Sequence, residues 1–204
     1  MKKITLFLLV FIIYSCSVKK YVYDLDLVKP TVSKDLTYTD DKLTIDFVLN
    51  DADMSLKIKN NSDKPLKIIW DEASFVNNGE AQKIIHKNVK FIDKEKSQAP
   101  TVIPPRSFID ETIQPIDDIK FQQQGYGRYT SYAWSAKPIF QTNYDYNGNE
   151  KKHKDKLKLL KGNPVNVYLP IQYDGKTIDY YFEMQVADIL LRKNGKNIKS
   201  IFQE

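Results

Sequence analysis

Apolar and polar residues alternate over several stretches of this chain, as they do in strands that bury one face. Leu43, Ile45, Phe47 and Leu49 alternate with Thr44, Asp46 and Val48, and Met54, Leu56 and Ile58 oppose Ser55, Lys57 and Lys59. This predicts two half-buried strands joined across residues 50–53. The run Asn60-Asn61-Ser62-Asp63-Lys64-Pro65 is turn chemistry, because Asn and Asp accept a left-handed backbone and Pro fixes the exit. Leu66, Ile68 and Trp70 then resume the period of two, and Asn77-Asn78-Gly79 between 74–76 and 81–85 reads as a hairpin turn. Val165, Val167, Leu169 and Ile171 alternate towards Asp174-Gly175, a two-residue turn, and Ile178, Tyr180, Phe182 and Met184 alternate on the return. Residues 186–192 extend or add a strand, and Asn194-Gly195-Lys196-Asn197 closes with a last turn.

The middle of the chain is less regular. Pro100, Pro104, Pro105 and Pro115 exclude a helix interior and place a strand over 107–113 at an edge or in short pieces. Residues 94–100 read as an exposed loop, and 122–150 as a long, partly ordered excursion. Leu157, Leu159 and Leu160 follow a lysine-rich stretch that Gly162-Asn163-Pro164 ends, which predicts a short helix over 151–161. Closely spaced strands with hardly any helix predict a mainly β fold: an antiparallel two-layer sandwich, loosely Ig-like, with at most one or two short helices. An open barrel is the alternative.

The first residues follow a different logic. Lys2 and Lys3 form a basic head, residues 4–14 an apolar run, and Ile13-Tyr14-Ser15-Cys16 its close, with Cys16 the chain's single cysteine. The run falls short of the ~20 apolar residues a membrane span needs and has the layout of a secretory signal. Ile13-Tyr14-Ser15-Cys16 resembles the lipobox of bacterial lipoproteins, although Tyr14 is bulky for it. The resemblance implies a signal peptide over 1–15, acylation of Cys16 and a membrane partner through the lipid; with no second cysteine a disulfide is excluded. Residues 16–35 then read as acylated cysteine and tether, and 36–204 as a single domain. Some surface lipoproteins carry an acidic export signal directly after the cysteine; Ser17-Val18-Lys19-Lys20 has no acid, which by that resemblance implies the periplasmic face of the outer membrane.

Charge narrows the partners. Without residues 1–15 the chain keeps 29 of its 31 basic side chains against 26 acidic ones, near balance. Only Arg106, Arg128 and Arg192 carry the guanidinium suited to phosphate and base edges, so a nucleic-acid partner is not expected.

No catalytic or cofactor constellation is legible. His86 and His153 are far apart in sequence, so they read as structural or solvated and not as metal ligands. Asn143 to Gly148 begins like a calcium loop, but Lys154 stands where a bidentate Glu belongs. Gly125-Tyr126-Gly127-Arg128-Tyr129-Thr130 lacks the third glycine of a phosphate loop. Neighbouring acids such as Asp117 and Asp118 point to opposite sides of an extended chain and cannot share a proton.

The candidate binding stretch is 125–146, with Tyr126, Tyr129, Tyr132, Trp134, Phe140, Tyr144 and Tyr146, and Arg128 for a charge-assisted contact. Such rings stack on a sugar, a peptide or a partner protein, or they simply cover the sandwich end. The expected function is therefore a non-catalytic binding or scaffold module of the cell envelope. A carbohydrate-binding or glycan-processing protein is the alternative. Ile69-Trp70-Asp71-Glu72, the Asn-Gly hairpin and Thr101-Val102-Ile103-Pro104-Pro105-Arg106-Ser107 resemble segments of uncharacterised exported lipoproteins. That resemblance implies a β domain and a tether, and no activity.

Overall fold

The hairpins read from alternation sit in a two-layer antiparallel sandwich. The computed structural model describes residues 19–77, 79–140, 142, 150–193 and 195–203. In chain order the strands are β1 (Lys19–Lys29), β2 (Thr37–Thr39), β3 (Leu43–Leu49), β4 (Met54–Asn60), β5 (Leu66–Ile68), β6 (Ser74–Asn77) and β7 (Glu80–His86). Then come β8 (Thr101–Ile103), β9 (Phe108–Pro115), β10 (Ile119–Gln124), β11 (Ser131–Ala136), helix α1 (Glu150–Lys158), β12 (Pro164–Tyr173), β13 (Lys176–Lys193) and β14 (Lys196–Ser200).

One layer runs β1-β13-β12, with β6 and β5 side by side on the far edge of β12, β8 beyond β5, and β14 on the end of β13. The other runs β7-β9-β4-β3-β2. Strand β7 belongs to both: Glu80 to Lys83 pair with β6, and Ile84 to His86 pair with β9. One strand thus turns the corner between layers, and the sheet nearly closes on itself. The inner faces meet where Phe47 of β3 packs edge-on to Phe182 of β13, with ring centroids 4.9 Å apart. Burying each such ring contributes about 1.5–3 kcal/mol. Among the described residues the buried core runs from Tyr21 to Ile201, with Phe202 packed against it. Among the described residues no helix is long and apolar enough to cross a membrane.

Three expectations change. The stretch read as a tether is largely β1, paired along its length with residues 183–193, so residues from 19 onward already belong to the sheet that was expected to start after 35. Tyr21, Tyr23, Leu25 and Leu27 are all buried, and Val22 and Val28 on the other face blur their period in the sequence. Strand β9 lies between β7 and β4 and is not an edge: Pro104 and Pro105 precede it and Pro115 is its last residue, so no proline interrupts its ladder. Trp70 does not continue β5 but opens a 3-10 turn, Trp70–Glu72, and is buried. The helix forms where expected and packs Leu157 and His153 inward, with His153 against the Tyr21 ring.

Candidate interaction surface

The excursion beginning near residue 122 contains a two-stranded sheet of its own. Strands β10 and β11 pair from Ile119↔Ala136 to Gln124↔Ser131. An isolated hairpin is marginal in water, and this one is held at its base. Ile119 joins Ile85 and Ile116 in a small second core, closed by Val89, Phe91 and Ala136. The backbone N–H of Lys137 donates to the carbonyl of Asp118 at 2.9 Å, and the Lys94 ammonium to that of Ile116 at 2.8 Å.

Side chains alternate between the two faces of a strand, which makes this hairpin two-sided. Phe121 lies opposite Trp134, with Tyr132 next along the same face. The other face is polar, with the Gln122 amide donating to Ser135 Oγ at 2.7 Å. The aromatic face grows out of the small core: Phe91 meets Trp134 edge-on at 6.2 Å, and Phe121 stands 5.4 Å from Trp134 and 6.0 Å from Tyr132. At the tip a 3-10 turn, Gly127–Tyr129, is reached through Gly125 at φ +81°. A Cβ on Gly125 would stand 2.4 Å from the Tyr129 carbonyl oxygen, so this position requires glycine.

The sequence-selected residues are therefore at the surface. Tyr126 is 94% exposed, Tyr129 91%, Tyr132 65% and Trp134 38%, and Arg128 is exposed on the tip turn. Phe140 is the exception, buried and stacked on Tyr23 at 4.5 Å. Cys16, Tyr144 and Tyr146 lie outside the described residues, as does the signal-like segment 1–15. Phe121, 58% exposed, is a member of the surface that sequence reasoning missed; the signal was its two-residue spacing from Ile119.

A second cluster lies inside the sandwich. His86 of β7 and Glu111 of β9 point inward on adjacent strands, with Nδ1 3.5 Å from Oε2. That is beyond hydrogen-bond range, and neither atom makes a hydrogen bond. Trp70 stacks on the imidazole at 4.7 Å with planes 11° apart, and its indole N–H donates to Thr101 Oγ1 at 2.8 Å. A cavity of about 520 Å³ opens beside His86, roofed by the loop 88–100. That loop is pinned through Gln98, whose amide donates to the Ile84 carbonyl at 2.6 Å and whose oxygen accepts the His86 N–H at 3.2 Å. Asp71 holds it from the other side: the Ser97 hydroxyl and the Gln98 N–H bond its carboxylate and keep it ionised below the usual carboxylate range. The Thr101 hydroxyl oxygen accepts the Trp70 indole N–H and the Ser97 hydroxyl donates to Asp71, so these contacts hold Trp70 and the loop in place around the cluster.

No protein-family model, curated protein or solved structure matches this chain.

Proposed function

We propose that this protein is a cell-envelope lipoprotein held by an acylated Cys16, most simply in the outer membrane facing the periplasm, which works by contact and carries out no catalytic step. The observation that supports the reading is the exposure of Tyr126, Tyr129, Tyr132 and Trp134 on a hairpin with an anchored base. Large rings kept in water on a braced element suit an interaction surface, since aromatic residues are enriched in such contacts. The alternative, glycan recognition or processing, is less well supported. Phe121 and Tyr132 lie within 28° of parallel, but the Phe121 and Trp134 planes are 53° apart, so the three rings form no single flat platform for a sugar ring. From Ile119 to Ala136 there is no Asp or Glu to serve as the carboxylate pair that glycoside hydrolysis uses.

Two measurements test the reading. Cys16→Ala should abolish labelling by a fatty-acid analogue and release the protein from the membrane fraction; unchanged labelling rejects the anchor. Tyr129→Ala with Tyr132→Ala should leave thermal unfolding within ~0.5 kcal/mol of the parent and reduce capture of the contact partner. A large loss of stability with unchanged capture would make the rings structural.

A further inference from the structure

The hairpin and the start of β1 leave the sandwich at the same end. Ile139, just past β11, donates its N–H to the Asp51 carbonyl at 2.8 Å, and the Asp51 carboxylate is ion-paired with Lys20. Lys20 follows Cys16 by four residues, a reach of at most ~14 Å in extended chain. An anchor at Cys16 therefore holds the base of the hairpin close to the bilayer.

The fold also gathers cations there from distant parts of the chain. Lys20 pairs in register with Arg192, and Lys193 pairs with Lys196 of β14. Helix α1 reaches the same corner through His153, 5.5 Å from the Tyr21 ring, and exposes Lys151 and Lys152. Asp51 at this edge is already paired with Lys20, Asp155 is exposed on the helix that carries Lys151 and Lys152, and the Asp24↔Asp188 pair lies further along the strands.

The geometry points to a membrane-docking surface, in which the β1–β13–β14 corner engages anionic phospholipid headgroups and the aromatic face of the hairpin seats at the boundary between headgroups and acyl chains. This rests on the proposed anchor and contact surface, and it names the leaflet itself as the partner. Tyrosine and tryptophan, apolar in body and polar at one tip, favour that boundary. Attraction of lysine to an anionic leaflet fades over a Debye length of ~8–10 Å, so cations matter there only when they sit at the anchored end. An acid-free hairpin meets no repulsion from the same leaflet. A protein partner would explain the exposed rings but not the cations collected beside the anchor.

The test uses residues 17–204, which contain every core residue among the described ones, so that affinity is read without an acyl chain. Trp134 reports on the hairpin, while buried Trp70 is the internal reference; Trp134→Phe assigns the signal. With vesicles of phosphatidylethanolamine and phosphatidylglycerol, Trp134 emission should move to shorter wavelength and be quenched by brominated acyl chains. Phosphatidylcholine vesicles should produce neither effect. Arg192→Gln, Lys193→Gln and Lys196→Gln together should lower vesicle partitioning roughly 100-fold, about fivefold per charge. Lys64→Gln, Lys67→Gln and Lys176→Gln, at the far end of the sandwich by the β12–β13 turn, should change it far less. Absence of Trp134 quenching, equal binding to phosphatidylcholine, or equal losses from the two triple variants overturns the proposal. Acylation of Cys16 is decided separately by the labelling experiment. If vesicles fail to bind while the Tyr129 and Tyr132 variant still loses protein capture, the membrane partner is rejected and the contact-surface reading stands.

Discussion

Asn60, at the end of β4, is fully buried and ties together three parts of the chain. Its Nδ2 lies 2.8 Å from the Lys64 carbonyl oxygen and 3.1 Å from those of Ile103 and Pro104. Its Oδ1 accepts the Ser62 N–H at 2.9 Å and the Ser62 hydroxyl at 2.7 Å. The amide has two hydrogens to give and two lone pairs to fill, so these contacts amount to about four hydrogen bonds, one of the donors being shared. At ~1 kcal/mol net each, Asn60→Ala should cost ~4 kcal/mol. That is a large share of the ~5–15 kcal/mol that holds a domain together. In urea, with a slope of ~2 kcal/mol per molar, the unfolding midpoint should fall by ~2 M. Asn60→Asp keeps the acceptor side but turns a carboxylate oxygen towards carbonyl oxygens, so it should be at least as damaging at neutral pH and recover partly in acid. A loss below ~1 kcal/mol for the Ala variant, or an Asp variant as stable as the parent, would refute the argument.

Two further outcomes are expected. Gly125→Ala should disturb the hairpin tip, visible as changed amide and ring resonances of 126–134, yet leave the unfolding midpoint of the sandwich within ~0.5 kcal/mol; an unchanged tip would mean the backbone there yields easily. The Tyr180 phenol is pushed upward by burial and then by its hydrogen bond to Asp40, and the Tyr23 phenol by burial and then by Tyr21. Because the folded protein favours the protonated phenol, this stabilisation is whole below the unfolded value of ~10 and is lost as pH climbs beyond it. Tyr180→Phe should thus flatten the decline in urea midpoint above pH ~10, and an identical decline in the variant would sink the assignment.

What could be seen in the sequence was mostly local. Asp174 and Gly175 both adopt positive φ, as the Asp-Gly pair between two alternating runs indicates, because the turn and both strands of that hairpin are contiguous. The Asn60 to Pro65 turn was equally visible, but its bonds to Ile103 and Pro104 were not, since nothing nearby marks residues some forty positions away as partners. Strand β1 was hidden for the same reason: its partner is at the other end of the chain. The prolines around β9 were misleading because their number suggested an edge while their positions, before the strand and at its last residue, permit a central one. For the surface, residue type picked out Tyr126, Tyr129, Tyr132 and Trp134. The separation of these from Phe140, which stacks on Tyr23, depends on where the chain turns back to the core.

The ladder that joins β1 to the second half of β13 links Lys19 to Lys193, nearly the whole length of the chain. Synthesis delivers β1 well before β13, so β1 is among the last of the described strands to be paired. The hairpins β3–β4, β6–β7 and β12–β13 close short loops and can form early, whereas β1 must wait through a long closure. During that interval Tyr21, Tyr23, Leu25 and Leu27 have no sheet to cover them. A chain halted before β13 is complete would keep an apolar, unpaired strand at its leading end, an open template for aggregation. The second half of β13 therefore acts as the latch for β1.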